Sequence, residues 1–289
     1  QIAEHPSLDQ ARKGFLDVLR ENGYKEGENL IVDYQNAQGD IPTANTIAQK
    51  FVSDRVDMVL AIATPAAQAM AAATKEIPIL ITAVTDPVAA ELVQSMERPG
   101  TNVTGTTDMN PVKEQLDLFG RLKPGIKRVG VLYNSSETNS VVQVNLARSV
   151  APELGLTLVE KVVTNSSEVR QAAESLVNQV DGIYVPTDNT VVSALPSVIS
   201  VCEEHDIPLI VGEADSVERG GLATYGIDYY KLGRQTGEMA LKILKEGAKP
   251  AEMPVESQKE YTLTINLKAA QAMGVEVPED LLAKAQVIQ

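Results

Sequence analysis

The chain has 289 residues, 44% of them hydrophobic and 22% charged, and a formal net charge of -14. Nucleic acid and anionic membrane surfaces would repel such a chain. Its single cysteine, Cys202, excludes an intrachain disulfide, and with only His5 and His205 beside it a structural zinc has too few ligands, so no metal or cofactor is expected.

The first predicted element is a helix, "SLDQARKGFLDVLRENG", with Ser7 as its N-cap and Gly23 just past its end. Its residues Leu8, Ala11, Phe15, Val18 and Leu19 keep the spacing of one helical face. A second helix follows at 43–54. The runs "DMVLAIA" (57–63) and "IPILITAV" (77–84) are continuously apolar, as strands buried on both faces are. Further on come a helix at 111–122, a strand at 128–134, a helix at 167–179, strands at 181–186 and 207–212, and a helix at 230–247. Strand and helix alternate, which predicts an α/β doubly wound fold with parallel sheets. No run of 18 apolar residues reads as a membrane span.

The chain repeats itself. Residues 56–86 and 180–216 both run Val-Asp, apolar strand, polar turn, helix, Ile-Pro, apolar strand, acidic turn. Two homologous Rossmann-like lobes explain this most simply. The second lobe opens with the strand "RVGVLYN", whereas only Gln1 and Ile2 stand at the matching place in the first. A first strand is therefore expected upstream of residue 1.

In open α/β sheets, ligands bind beyond the carboxyl ends of the strands. Counting from the repeated marks sets Thr64 opposite Asp188, Ala83 opposite Glu213 and Thr85 opposite Asp215. The first lobe thus offers hydroxyls at helix N-termini, which favour an anion. The second offers carboxylates, which favour a cation. A cleft with both suits a zwitterion such as an α-amino acid, its carboxylate met by Thr64, Thr85 and nearby N–H groups and its ammonium by Asp188 or Glu213. Asp188 either pairs that ammonium, the preferred reading, or caps the helix after it. Asn134, Ser135 and Asn139, in the polar loop after 128–134, line the cleft or form an ordinary loop. His5 is an exposed loop residue or a ligand contact. Asp228 contacts ligand or caps a helix, with capping favoured. Asp86 and Asp215 read as structural. Tyr133 and Tyr229 either floor a pocket or belong to the core. Cys202, three residues before His205, reads as a buried structural residue. No GxSxG elbow, Walker phosphate loop or GxGxxG fingerprint is present, so no enzyme class is indicated.

Six stretches, "EHPSLDQARKGFLDVL", "DYQNAQGD", "AIATPAAQAMA", "TAVTDPVAAELV", "TNVTGTTD" and "YVPTDNTV", spread across the chain. Together they resemble the extracytoplasmic substrate-binding proteins of an ABC transporter family of the tryptophan/tyrosine type. The resemblance implies a type I periplasmic-binding-protein fold, with two lobes joined by a three-crossing hinge and a ligand held in the interlobe cleft. It implies an aromatic or large apolar amino acid as ligand, and a permease with a separate ATPase subunit as partners. It also implies an extracytoplasmic location, and leaves open whether a signal segment and lipid anchor belong to the precursor. Carried onto this chain, its ligand contacts are Thr64, Ala83 and Thr85, then Asp188 or Glu213; with the residues at the other strand ends, the candidate ligand-binding positions are Thr64, Pro65, Ala66, Ala83, Thr85, Asn134, Ser135, Asn139, Asp188, Asn189, Glu213 and Asp228. The expected lobes are 1–106 with 228–255, and 107–227 with 256–289. The alternatives are the ligand-sensing core of a transcriptional regulator, disfavoured by the acidic charge and the lack of a basic helix-turn-helix, or a binder of a nucleoside or sugar.

Overall fold

The computed structural model describes residues 1–289, which divide into two compact units. Unit 1 comprises Gln1–Met109 and Asp228–Lys259; unit 2 comprises Asn110–Ile227 and Glu260–Gln289. The chain passes from one unit to the other three times. The first and third crossings fall slightly later than the sequence boundaries at 106 and 255. The reason is local: Asp108 is tied into unit 1 by side-chain bonds to Thr85 and Tyr229, and residues 256–257 pair with a unit 1 strand.

Unit 1 opens with α1 (Pro6–Glu21) and α2 (Ile41–Asp54), then β1 (Val59–Ile62), α3 (Thr64–Ala73), β2 (Ile79–Val84) and β3 (Val103–Thr107). Unit 2 then runs α4 (Val112–Leu122), β4 (Arg128–Asn134), α5 (Thr138–Val150), β5 (Thr157–Val163), α6 (Val169–Leu176) and β6 (Gly182–Val185). It continues through α7 (Asn189–Ser193), α8 (Leu195–Glu204), β7 (Leu209–Val211), α9 (Ala214–Glu218) and β8 (Ala223–Gly226). The chain returns to unit 1 for α10 (Tyr229–Glu246) and β9 (Glu256–Ser257). It ends in unit 2 with β10 (Thr262–Asn266), α11 (Leu267–Ala272), α12 (Glu279–Leu282) and β11 (Gln286–Ile288).

Every apolar run read as a strand is one. The unit 1 sheet has the order β1-β2-β3-β9, all parallel. The unit 2 sheet has the order β11-β10-β8-β7-β6-β4-β5, with β8–β10 its one antiparallel pair. Both are α/β sheets with helices on them, and their central strands are buried. Phe119, Leu116, Ile183, Tyr184 and Leu209 build the core of unit 2. Phe15, Leu19, Leu80 and Met239 form a smaller apolar cluster in unit 1. β5 bonds only to β4, and unit 1 has no strand in the β4 place; its counterpart of β5, residues 31–37, carries no strand pairing. No helix is long and apolar enough to cross a membrane.

The start of α1 corrects the sequence reading. The N-cap is His5, whose Nδ1 accepts from the Ser7 N–H at 3.1 Å, and it is buried rather than an exposed loop residue. Pro6 explains the two-residue shift, since its fixed φ suits the first helical position and its missing N–H needs no partner there.

Candidate functional site

In unit 1 the carboxyl ends of β1 and β2 both carry strained backbone. Ala63 has φ 76° and Ala83 has φ 55°, left-handed values that a residue with a Cβ adopts at a cost. Ala83 lies where the β2–β3 register shifts, Ile81 facing Gly105 but Val84 facing Thr107. Such a bulge re-aims the end of a strand. It is accommodated by Gly105, at φ 140°, because a Cβ there would sit 2.1 Å from the Ile81 carbonyl oxygen.

Ala63 turns the chain directly into α3. No side chain caps that helix, and Pro65 occupies its first turn. Thr64, its first residue, is 1% exposed, and its hydroxyl has no hydrogen-bond partner. A buried hydroxyl left unbonded costs about 1–3 kcal/mol. Pro65 is buried and Ala66 half-buried beside it. The Thr85 hydroxyl, by contrast, donates to Asp108 at 3.1 Å, and the Tyr229 hydroxyl donates to the same carboxylate at 2.7 Å. Unit 1 therefore holds a buried acid of its own, which the expected split between a hydroxyl lobe and an acid lobe did not contain. Asp108 follows the last residue of β3, and a lone acid closing the strand "VTGTT" was the available signal.

In unit 2 the carboxyl ends of β4 and β6 form one polar network. Asp188 caps α7, accepting from the Val191 N–H at 2.7 Å. Its other oxygen accepts from the Asn134 N–H and the Ser140 hydroxyl, both at 2.6 Å. Burial, together with the nearby Glu137 carboxylate, pushes the Asp188 carboxyl up to about 7 against the pull of those three bonds. Glu137 is the hub that the sequence reading missed. It accepts from the backbone N–H of Asn189 at 3.0 Å and of Thr190 at 2.9 Å. The side chains of Asn189, Thr190 and Asn139 also donate to it. Asn134 spends its side chain on Thr190 and on the turn at Ser136. Asn139 donates to the Thr187 carbonyl at 2.8 Å, while its own Oδ1 is buried without a partner.

The preferred reading of Asp188 changes in this light, while that of Asp228 holds. Asp188 takes the capping alternative: both of its oxygens serve the protein, and its repeat partner Thr64 is the first helical residue rather than the cap. Asp228 is exposed and caps α10, accepting from the Lys231 N–H at 3.0 Å. Ser135 is exposed, whereas its neighbours Asn134 and Glu137 are buried. Glu213 differs from Asp188. It occupies the N-cap position of α9 without bonding that helix's N–H groups, is 1% exposed, and receives the Ser216 hydroxyl. Tyr133, the residue before the last of β4, is buried and donates to Glu160 at 2.9 Å. Cys202 is buried on α8, and burial pushes its thiol up, out of reactive range.

In each unit polar groups gather at the strand ends, and no group of three or more His, Cys, Asp or Glu that could hold a metal ion is present. Residues 1–288 match the family described as ABC transporter substrate binding protein. The chain belongs to this family. Its relatives include a tyrosine-binding protein of Clostridioides difficile (strain R20291), 49% identical over 96% of this chain and 80% of that one. Among solved structures, an ABC domain from Streptococcus pneumoniae in complex with L-Trp is 40% identical, covers 100% of this chain and 97% of the other, and superposes with a TM-score of 0.96. The ligand-free, open structure of a substrate binding protein with adhesive properties from Clostridium difficile is 48% identical over the same shares, with a TM-score of 0.74. This substrate-binding protein accordingly has the type I periplasmic-binding-protein fold expected of it, and its family binds solutes rather than transforming them.

Proposed function

We propose that this protein captures an aromatic L-amino acid outside the cytoplasmic membrane, without turning it over, and passes it to a permease driven by a separate ATPase. The observation that carries the reading is the Thr64 hydroxyl, buried and unpartnered at the uncapped N-terminus of α3. Backbone N–H groups at such an end favour an anion, and an α-carboxylate would satisfy the hydroxyl as well. The tyrosine named for one relative and the L-Trp bound by another support the ligand class. Small residues around Thr64, namely Pro65, Ala66 and the strained Ala83, leave room for a ligand to approach the backbone. The ammonium falls to Glu213, since the Asp188 oxygens are taken by Val191, Asn134 and Ser140.

Thr64→Val keeps the shape of the side chain and deletes the hydroxyl. Calorimetry with L-tyrosine, L-tryptophan and L-phenylalanine should show a loss of about 1.5–3 kcal/mol of binding, the scale of a hydrogen bond to a charged group. Ligand-free stability should not fall. No heat from the wild-type protein with any of the three would sink the reading.

Glu213→Gln and Asp188→Asn separate the two acids. The first should weaken binding of the same amino acid by at least about 1.5 kcal/mol. The second should leave affinity within about twofold while altering stability, because Asp188 works as a cap. Equal losses of affinity in both variants would overturn the assignment of the ammonium.

A further inference from the structure

Asn110 is the first residue of unit 2 and precedes Pro111, the N-cap of α4. It is 4% exposed, and neither its Oδ1 nor its Nδ2 has a hydrogen-bond partner. A primary amide brings both an acceptor and donors, so leaving all of them buried and unbonded is costly. Native proteins leave few such groups, and each calls for an explanation. The helix behind it does not supply one. Pro111 offers no side-chain cap to α4, and the Asn110 amide does not take that place.

Its position within unit 2 does. Gln115, on the first turn and a half of α4, donates from Nε2 to the Gly212 carbonyl at 3.1 Å and to the Tyr225 carbonyl at 2.7 Å. Its Oε1 accepts from the Tyr184 hydroxyl at 2.7 Å. These bonds pin the N-terminal turn of α4 to the carboxyl ends of β7 and β8, with Glu213 the next residue after Gly212. Carboxyl ends of parallel strands are where α/β sheets bind ligands. Asn110 therefore stands at the end of the sheet that carries Glu213, with its amide committed to nothing in the protein.

We propose that Asn110 is a ligand-reading residue whose amide takes the charged head of the bound amino acid, Oδ1 receiving the ammonium and Nδ2 donating to the carboxylate. This rests on the amino-acid reading above. It adds an uncharged residue that matches both ends of a zwitterion at once.

The test uses the whole chain and its Asn110→Leu and Asn110→Ala variants. Each is titrated by calorimetry with L-tyrosine, L-phenylalanine and L-tryptophan, and each is melted without ligand. Both variants should lose about tenfold to a hundredfold in affinity, by the same factor for all three amino acids, because the head is common to them. The ligand-free melting temperature of Asn110→Leu should hold or rise, since the amide it removes has no partner. A ligand-free melting temperature that falls by several degrees in both variants would show a structural amide and overturn the assignment. Affinities within twofold of wild type would overturn it too, as would a loss confined to L-tyrosine, which would place the amide at the phenol. Wild-type protein that binds none of the three overturns the amino-acid reading itself, and this assignment with it.

Discussion

Gly233→Ala is expected to destabilise the protein by more than about 3 kcal/mol, the upper range for overpacking. A Cβ at Gly233 on α10 would lie 1.8 Å from the Ala11 carbonyl oxygen and 2.6 Å from its carbon. The contact is with the backbone of α1, which cannot swing aside as a side chain can. Gly14 on α1 is equally tight against α10, its Cβ falling 2.1 Å from the Tyr230 carbonyl oxygen, and a Cβ at Gly237 would meet Val18 at 2.8 Å. Glycines at 233 and 237 share one face of α10 and let the two helices touch backbone to backbone. A single methyl must push them apart, loosening Phe15 and Leu19 from Met239 and Leu80. Gly120→Ala is the matched control. Gly120 sits inside α4, exposed, with nothing within 4 Å of a Cβ, so alanine there should stabilise by about 0.5–1 kcal/mol. Urea unfolding followed by circular dichroism reads both. Equal effects at the two positions would show that helix propensity, not the approach of α1 to α10, governs Gly233.

The second large effect is on the pH dependence of stability. The Asp188 carboxyl sits at about 7 in the folded protein against an ordinary value of 3.8, raised by burial and by Glu137. The folded state therefore keeps a proton that the unfolded chain has shed. This site's contribution to stability is complete below 3.8 and is lost as pH rises through about 7. The slope for one proton is at most about 1.4 kcal/mol per pH unit. Asp181 works the other way and elsewhere. Held down to about 2 by Arg128, it loses its contribution as pH falls from 3.8 through 2. Unfolding free energies of wild type and Asp188→Asn, measured from pH 4 to pH 7, isolate the effect. Wild type should lose stability relative to the variant as pH rises. Parallel curves would mean that Asp188 stays ionised throughout, its charge carried by the Val191, Asn134 and Ser140 donors.

Much of the fold was readable because strands buried on both faces leave an unbroken apolar record. β1, β2, β4, β6 and β7 each sit inside a run recognised from the sequence. β3, rich in Thr, and β5, whose apolar run is broken by the adjacent Glu160 and Lys161, gave no such record. Of the repeated marks, Asp181 has a visible purpose: its carboxylate accepts from the backbone N–H groups of Lys127 and Arg128, fixing the start of β4. Thr64 was singled out by its place at a strand end, and its hydroxyl is buried there without a partner.

What the amino-acid order by itself determined was the alternation of elements, the duplication into two α/β units, and the set of strand ends at which polar residues gather. These follow from local periodicity, which a chain carries in consecutive residues. Only the tertiary structure decided how those polar residues are spent. An acid before a short helix serves equally as a cap or as a ligand partner, and Asp188 became a cap because Asn134 and Ser140 arrive from 54 and 48 residues away to complete its bonds. Glu137 and Asn189 meet across 52 residues, and Asp108 and Tyr229 across 121. Asn110 stands out only because folding buries its amide and brings it no partner. Hydrogen-bond pairing between distant residues depends on distance and direction in space, and neither is written in the spacing of residues along the chain.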